Sequence, residues 1–169
     1  RIVKTINSTF TWLRAGSVAI LIIGITVLMY FLSNSSSLAP VVVAASSNPV
    51  TDTLPDGSSV TLNRNSSIRY PEKFKGQTRN VELKGEAFFA IRPDKKKPFV
   101  INVNDITVTV VGTSFNIKSI AGETQVVVET GIVRVTKNNK TIELRPKEKV
   151  VVKDNDSVLL KVEATDRLH

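Results

Sequence analysis

Beyond Thr51 the apolar residues of this chain fall on alternate positions, and that period of two decides which folds are open to it. In NVELKGEAFFAI, Val81, Leu83, Ala87, Phe89 and Ile91 share one parity, while Asn80, Glu82, Lys84 and Glu86 take the other. Successive side chains of a strand point to opposite faces, so the stretch reads as one strand with a packed side and a wet side. The same signal recurs at residues 60–62, 68–70, 99–103, 106–110, 115–117, 126–128, 132–135, 142–144, 150–152 and 158–162. About ten short strands with no helical stretch between them predict an all-β domain, a two-sheet jelly-roll-like sandwich over residues 51–169. Pro55-Asp56-Gly57, KNNK at 137–140 and KDNDS at 153–157 supply the turns. Phe88 breaks the pattern by facing the wet side, which predicts a second packed layer there or, alternatively, a partner surface.

The first fifty residues obey a different rule. Their only charges are Arg1, Lys4 and Arg14, and every acidic residue of the chain lies from Asp52 onward. Residues 15–32, AGSVAILIIGITVLMYFL, carry no charge. As a helix rising 1.5 Å per residue they would reach about 27 Å, close to the thickness of a bilayer's hydrocarbon core. Only a helix satisfies its backbone internally in lipid, so the Ile and Val content does not argue for a strand. Basic residues precede this run and uncharged SNSSS follows it, which predicts a cytoplasmic juxtamembrane segment at 1–14, a single transmembrane helix at 15–32 and export of everything after it. Trp12 and Tyr30 stand near the two ends, as interfacial aromatics do. A signal peptide is the competing reading, with VVVAASS as its cleavage region, but its apolar core is ordinarily only about 7–15 residues. Residues 33–50 read as a Ser-, Ala- and Pro-rich linker in which 41–43 form an edge strand.

Composition removes several functions. There is no cysteine, and the one histidine is His169, the last residue, so thiolate metal sites, disulfide frameworks and Ser-His-Asp catalysis are not expected. No cofactor, metal or enzymatic activity is predicted. The net charge of +8 is modest and its basic residues are interleaved with acids. Lys95-Lys96-Lys97 lies between Pro93 and Pro98 and reads as a solvated loop guarding strand ends; direct nucleic-acid binding is not expected. Glu82 and Glu86 occupy alternate outward positions, the ordinary solvated pattern and not a catalytic carboxylate pair.

One place in the alternation is irregular. In TVTVVGTSFNIKS, Ile106, Val108 and Val110 are even-numbered core candidates, whereas Phe115 and Ile117 are odd. A β-bulge at Gly112 would supply this single slip of phase. A second reading uses the neighbour: the Thr113 hydroxyl attacks the Gly112 carbonyl, moving the acyl group from nitrogen to oxygen and leaving an ester for water.

Three blocks then accumulate in order: LPDGSSVTLNRNSSIRYPEKF at 54–74, RNVELKGEAFFAI at 79–91 followed by KKPFVI at 96–101, and VTVVGTSFNIKS at 108–119. Together they resemble the FecR-type transmembrane anti-sigma factors of Gram-negative bacteria, in particular versions common in Bacteroidetes. Ala90 departs from the Glu that often follows GEAFF in that family, and RPKEK at 145–149 lacks a Gly frequent near that turn. The resemblance implies a single-pass inner-membrane protein with a periplasmic β domain. It further implies a cytoplasmic helical segment upstream that holds an extracytoplasmic-function sigma factor, and a downstream domain that meets the signalling domain of an outer-membrane TonB-dependent transporter. Some relatives break their chain at the Gly-Thr bond, which makes Gly112 and Thr113 the candidate site. The competing function is a membrane-tethered carbohydrate-binding β-sandwich, disfavoured because the aromatics after residue 50 lie mostly at core parity.

Overall fold

Gly85, Gly112 and Gly131 mark three of the places where the chain leaves one sheet for the other. The structure, a computed structural model, describes residues 21–30, 39–154 and 160–163. Its contacts divide the chain into two units, Arg1–Ser37 and Leu38–His169.

In the first unit, residues 21–30 are helical, and the Thr26 hydroxyl donates to the carbonyls of Ile22 and Ile23 at 2.9 Å, so this polar side chain is satisfied within its own helix. Among the described residues no helix is long and apolar enough to cross a membrane. The remainder of the expected 15–32 span, Trp12, and most of the KDNDS turn lie outside the described residues.

The second unit forms β1 (Pro40–Ala45), β2 (Val50–Thr53), β3 (Ser59–Leu62), β4 (Ser66–Pro71), β5 (Arg79–Lys84), β6 (Glu86–Ala90), β7 (Phe99–Val103), β8 (Ile106–Val110), β9 (Ser114–Ile120), β10 (Glu123–Thr130), β11 (Val133–Lys137), β12 (Lys140–Leu144), β13 (Glu148–Lys153) and β14 (Leu160–Glu163). Two seven-stranded sheets result, ordered β1-β4-β5-β7-β8-β11-β12 and β14-β13-β10-β9-β6-β3-β2. All pairings are antiparallel except β5 with β7. This is the expected two-sheet sandwich, and the predicted edge strand at 41–43 is β1. The KNNK turn closes the β11–β12 hairpin with Asn138 and Asn139 at φ of 47° and 63°, a left-handed pair that Asn tolerates.

The core lies between the sheets. Phe89 stacks on Phe115 with centroids 5.3 Å apart, and Phe99 approaches Phe89 from the opposite sheet at 6.4 Å. All three are fully buried, each contributing about 1.5–3 kcal/mol by removal from water.

Two expectations are corrected. NVELKGEAFFAI is not one strand: it divides at Gly85 into β5 and β6, which belong to different sheets. Gly85 takes φ +88°, and a Cβ there would lie 2.5 Å from the Ser66 hydroxyl oxygen. Nor is Gly112 a bulge within a strand. β8 and β9 sit in opposite sheets, and the slip of parity is produced by the corner between them. A register irregularity does occur nearby, in β10 between Val128 and Thr130, opposite Ser114 and Phe115. Phe88 lies on the outer side of its sheet, where it lines an open groove of about 590 Å³ with Asn63, Glu86 and Asn116; among the described residues no second layer packs over it.

Candidate functional site at the Gly112–Thr113 corner

Val111, Gly112 and Thr113 carry the chain from β8 to β9, and burial deepens along them from the exposed Val111 to the buried Thr113. The connection from β6 to β7 runs beside them: the Ile91 amide donates to the Thr113 carbonyl and the Asp94 amide to the Val111 carbonyl, both at 2.9 Å. Between these bonds Gly112 meets Pro93 so closely that a Cβ would fall 2.5 Å from the proline Cα. Gly112 is therefore demanded by close backbone approach, and its φ is not left-handed. From the other side comes Gly131, at φ +76°. A Cβ there would stand 2.5 Å from the Thr113 Cγ2 and 2.9 Å from the Gly112 carbonyl oxygen.

Thr113 is 4% exposed, and its Oγ1 is the only buried side-chain polar atom without a hydrogen-bond partner among the described residues. Leaving such a group unpaired costs about 1–3 kcal/mol, and native exceptions call for an explanation. Here a buried, unengaged hydroxyl belongs to the residue directly after the Gly112 carbonyl, which Gly131 leaves uncrowded by carrying no side chain. Among the described residues no side chain is within hydrogen-bond reach of it to act as a base.

The corner hangs from a buried arginine. Arg79, 2% exposed at the start of β5, donates through Nε to the Lys97 carbonyl at 2.8 Å and through Nη1 to the Arg92 carbonyl at 3.1 Å. It also reaches the Val111 carbonyl through Nη2 at 3.3 Å. Nη1 also pairs with Asp56 Oδ2 at 2.6 Å, and the guanidinium lies over the Phe99 ring, 5.4 Å from its centroid. Burial alone would raise the Asp56 carboxyl. Hydrogen bonds from the Ser58 hydroxyl, Arg79 and the Ser58 amide, with the guanidinium charge, outweigh it and hold the group below its ordinary value. One cation thus fixes the β2–β3 turn, the β6–β7 connection and the first residue of the corner.

Sequence reasoning named Gly112 and Thr113, and they stand together here, but it missed Arg79, Pro93 and Gly131. The discounted pair Glu82 and Glu86 falls on strands of different sheets. Lys95 and Lys96 are exposed as expected, and Lys97 is anchored by donating to the Phe74 carbonyl.

Residues 41–134 match the family model described as FecR protein. The chain belongs to the FecR family. Two crystal structures of a proposed anti-sigma factor from Parabacteroides distasonis ATCC 8503 superpose with TM-scores of 0.70 at 34% identity, over 73% of this chain. The chain spans 60% and 59% of those two chains, less than two thirds of their length. No curated protein matches it significantly. The FecR match ends at residue 134, so it takes in the whole Gly112–Thr113 corner, Arg79 and Gly131.

Proposed function

We propose that this chain is the membrane-anchored signalling portion of a FecR-type anti-sigma factor. The observation that carries the reading is the family match across residues 41–134. Residues 15–32 cross the inner membrane, 1–14 lie in the cytoplasm, 33–50 form the tether and 51–169 occupy the periplasm; the uncharged run and the basic residues before it support that direction. An extracytoplasmic-function sigma factor is held on the cytoplasmic side, and the signalling domain of an outer-membrane TonB-dependent transporter supplies the input. The role is regulatory and not enzymatic. Fusions test the topology: alkaline phosphatase placed after residue 169 is expected to be active and a cytoplasm-only fluorescent reporter there dark, and the reverse pattern overturns it. Deleting the gene is expected to change transcription of a sigma-dependent gene set, and an unaltered transcriptome overturns the anti-sigma role.

Within that reading, Gly112-Thr113 is a self-cleaving bond. The Thr113 hydroxyl oxygen adds to the Gly112 carbonyl carbon, the bond from that carbon to the Thr113 nitrogen breaks, and the hydroxyl proton passes to the freed amine. Water then hydrolyses the ester, giving a Gly112 carboxylate and restoring the hydroxyl. The buried, unpartnered Oγ1 supports this, since no donor occupies the lone pair that must reach the Gly112 carbonyl carbon. Both sheets take strands from each side of the bond, through the β8–β11 and β6–β9 ladders, so the products stay associated until denatured. Denaturing gels of the native sequence are expected to show two fragments, the smaller beginning at Thr113, and Thr113→Ala a single band. Identical patterns for the two remove the acyl shift while leaving the signalling reading intact.

A further inference from the structure

Of the four sheet edges, one lacks protection among the described residues. β1 and β12 border one sheet, β14 and β2 the other. Soluble proteins blunt such edges with charge, proline or shortness, because unpaired backbone groups recruit other strands. β12, KTIEL, carries Lys140 and Glu143; β14, LKVE, carries Lys161 and Glu163; β2, VTDT, has four residues and Asp52. β1, PVVVAA, has six residues and no charge, and its proline stands at the first position, where it blocks nothing further along.

A second observation is independent of the first. Val41, Val43 and Ala45 share the inward parity, yet only Ala45 is sealed, at 2% exposure; Val41 and Val43 pack against the core while remaining half-open. On the outer face Val42 is 61% exposed. Among the described residues, the sandwich is thus left open along this edge on both faces.

We propose that β1 pairs antiparallel with β1 of a second copy of this chain, about a twofold axis through Val42. In that register Val42 opposes Val42 of the other copy, and Val41 opposes Val43, so β-branched side chains meet across the seam on both faces, a favourable cross-strand match. The surface is self-complementary, as a twofold interface requires. Charge permits it: the nearest outer-face charge beside Val42 is Arg69 on β4. The two copies of Arg69 would be separated by three strand spacings, about 14 Å, beyond the roughly 8 Å screening length at physiological salt. An edge without any charge gives an ionic partner strand nothing to recognise, whereas its own copy supplies the missing valines.

The absence of cysteine makes the test clean, since one introduced thiol reports one contact. Opposed residues of an antiparallel pair have Cα atoms about 4.5–5.5 Å apart, inside the range a disulfide spans. The 169-residue chain in mild nonionic detergent, carrying Val42→Cys and oxidised with copper phenanthroline, is expected to give a band at twice the monomer mass. Thr141→Cys, on the charged β12 edge, should give none. The unsubstituted chain should sediment as a dimer at roughly 100 µM, a concentration suited to a small interface. Val42→Lys, which sets two ammonium groups face to face at a solvent-exposed position, should sediment as a monomer with an unchanged β-sheet circular dichroism spectrum. An unsubstituted chain that sediments as a monomer, a Val42→Cys chain that stays uncrosslinked, or a dimer that survives Val42→Lys each overturns the proposal.

Discussion

Replacing Arg79 by Met keeps most of the side chain's length and removes its charge and donors, which makes it a direct test of what holds the corner. Three carbonyls and one carboxylate lose a donor together. Breaking a buried ion pair by deleting one partner costs about 3–5 kcal/mol when the other is left without compensation. Asp56 sits at the lower end of that range, because its side chain is 15% exposed and keeps two hydrogen bonds from Ser58. The Val111 carbonyl keeps the Asp94 amide, whereas those of Arg92 and Lys97 border an open cavity of about 510 Å³ and can turn to water. The net loss expected is about 3–4 kcal/mol, which at a urea slope of about 2 kcal/mol/M lowers the unfolding midpoint by roughly 1.5–2 M. Circular dichroism of the 169-residue chain in detergent against urea measures it. The sign with pH follows from the depressed Asp56 carboxyl. Its contribution is present above the unfolded value of about 3.9 and is lost as pH falls through the lower folded value. The gap between native and Arg79→Met chains should therefore narrow below about pH 4. A loss under about 1 kcal/mol at pH 7, or a gap that ignores pH, refutes the argument that this pair organises the corner.

Gly112→Ala drives a methyl to 2.5 Å from backbone at Pro93, and overpacking of this kind costs about 1–3 kcal/mol; an unaltered thermal midpoint would show that the approach is not close. Tyr70, on β4, donates its hydroxyl to Asp52 on β2 and so joins the two sheets. Burial, the hydrogen bond and the Asp52 charge push its pKa up to about 12. Its contribution is complete below about pH 10, the unfolded value, and disappears as pH rises through the folded value. Alkaline titration should expose a loss of stability across that window in the native chain and a smaller one in Tyr70→Phe.

Strand positions were legible because burial on one face writes a period of two into the sequence, as 99–103 and 106–110 show. Which sheet each strand joins was not. Both sheets face one core, so parity continues from Leu83 to Ala87 even though Gly85 turns the chain from one layer to the other. The signal was the glycine itself. β2 went unread across the boundary between linker and β domain because VTDT is short and shows too little alternation to stand out. Arg79 escaped notice because charge reads as exposure, yet it shares the parity of Val81 and Leu83. Lys137 follows the same rule: with the parity of Val133 and Val135, it is buried at a strand end, where Nζ pairs with Asp105 at 2.8 Å and caps the Lys153 and Asp154 carbonyls. A cation at core parity at the end of a strand is a sequence sign of such a pin. The free Thr113 hydroxyl has no sequence sign beyond its place after glycine.

The crossing of the chain at Gly112 has a mechanical consequence. Strands before the corner are zipped to strands after it along four residue pairs in one sheet and five in the other. Tension applied between the two ends of a nicked molecule would have to pull both zips apart along with the aromatic packing between them. Such a molecule is a clasp: it transmits a tug undiminished up to a threshold, and then lets go completely.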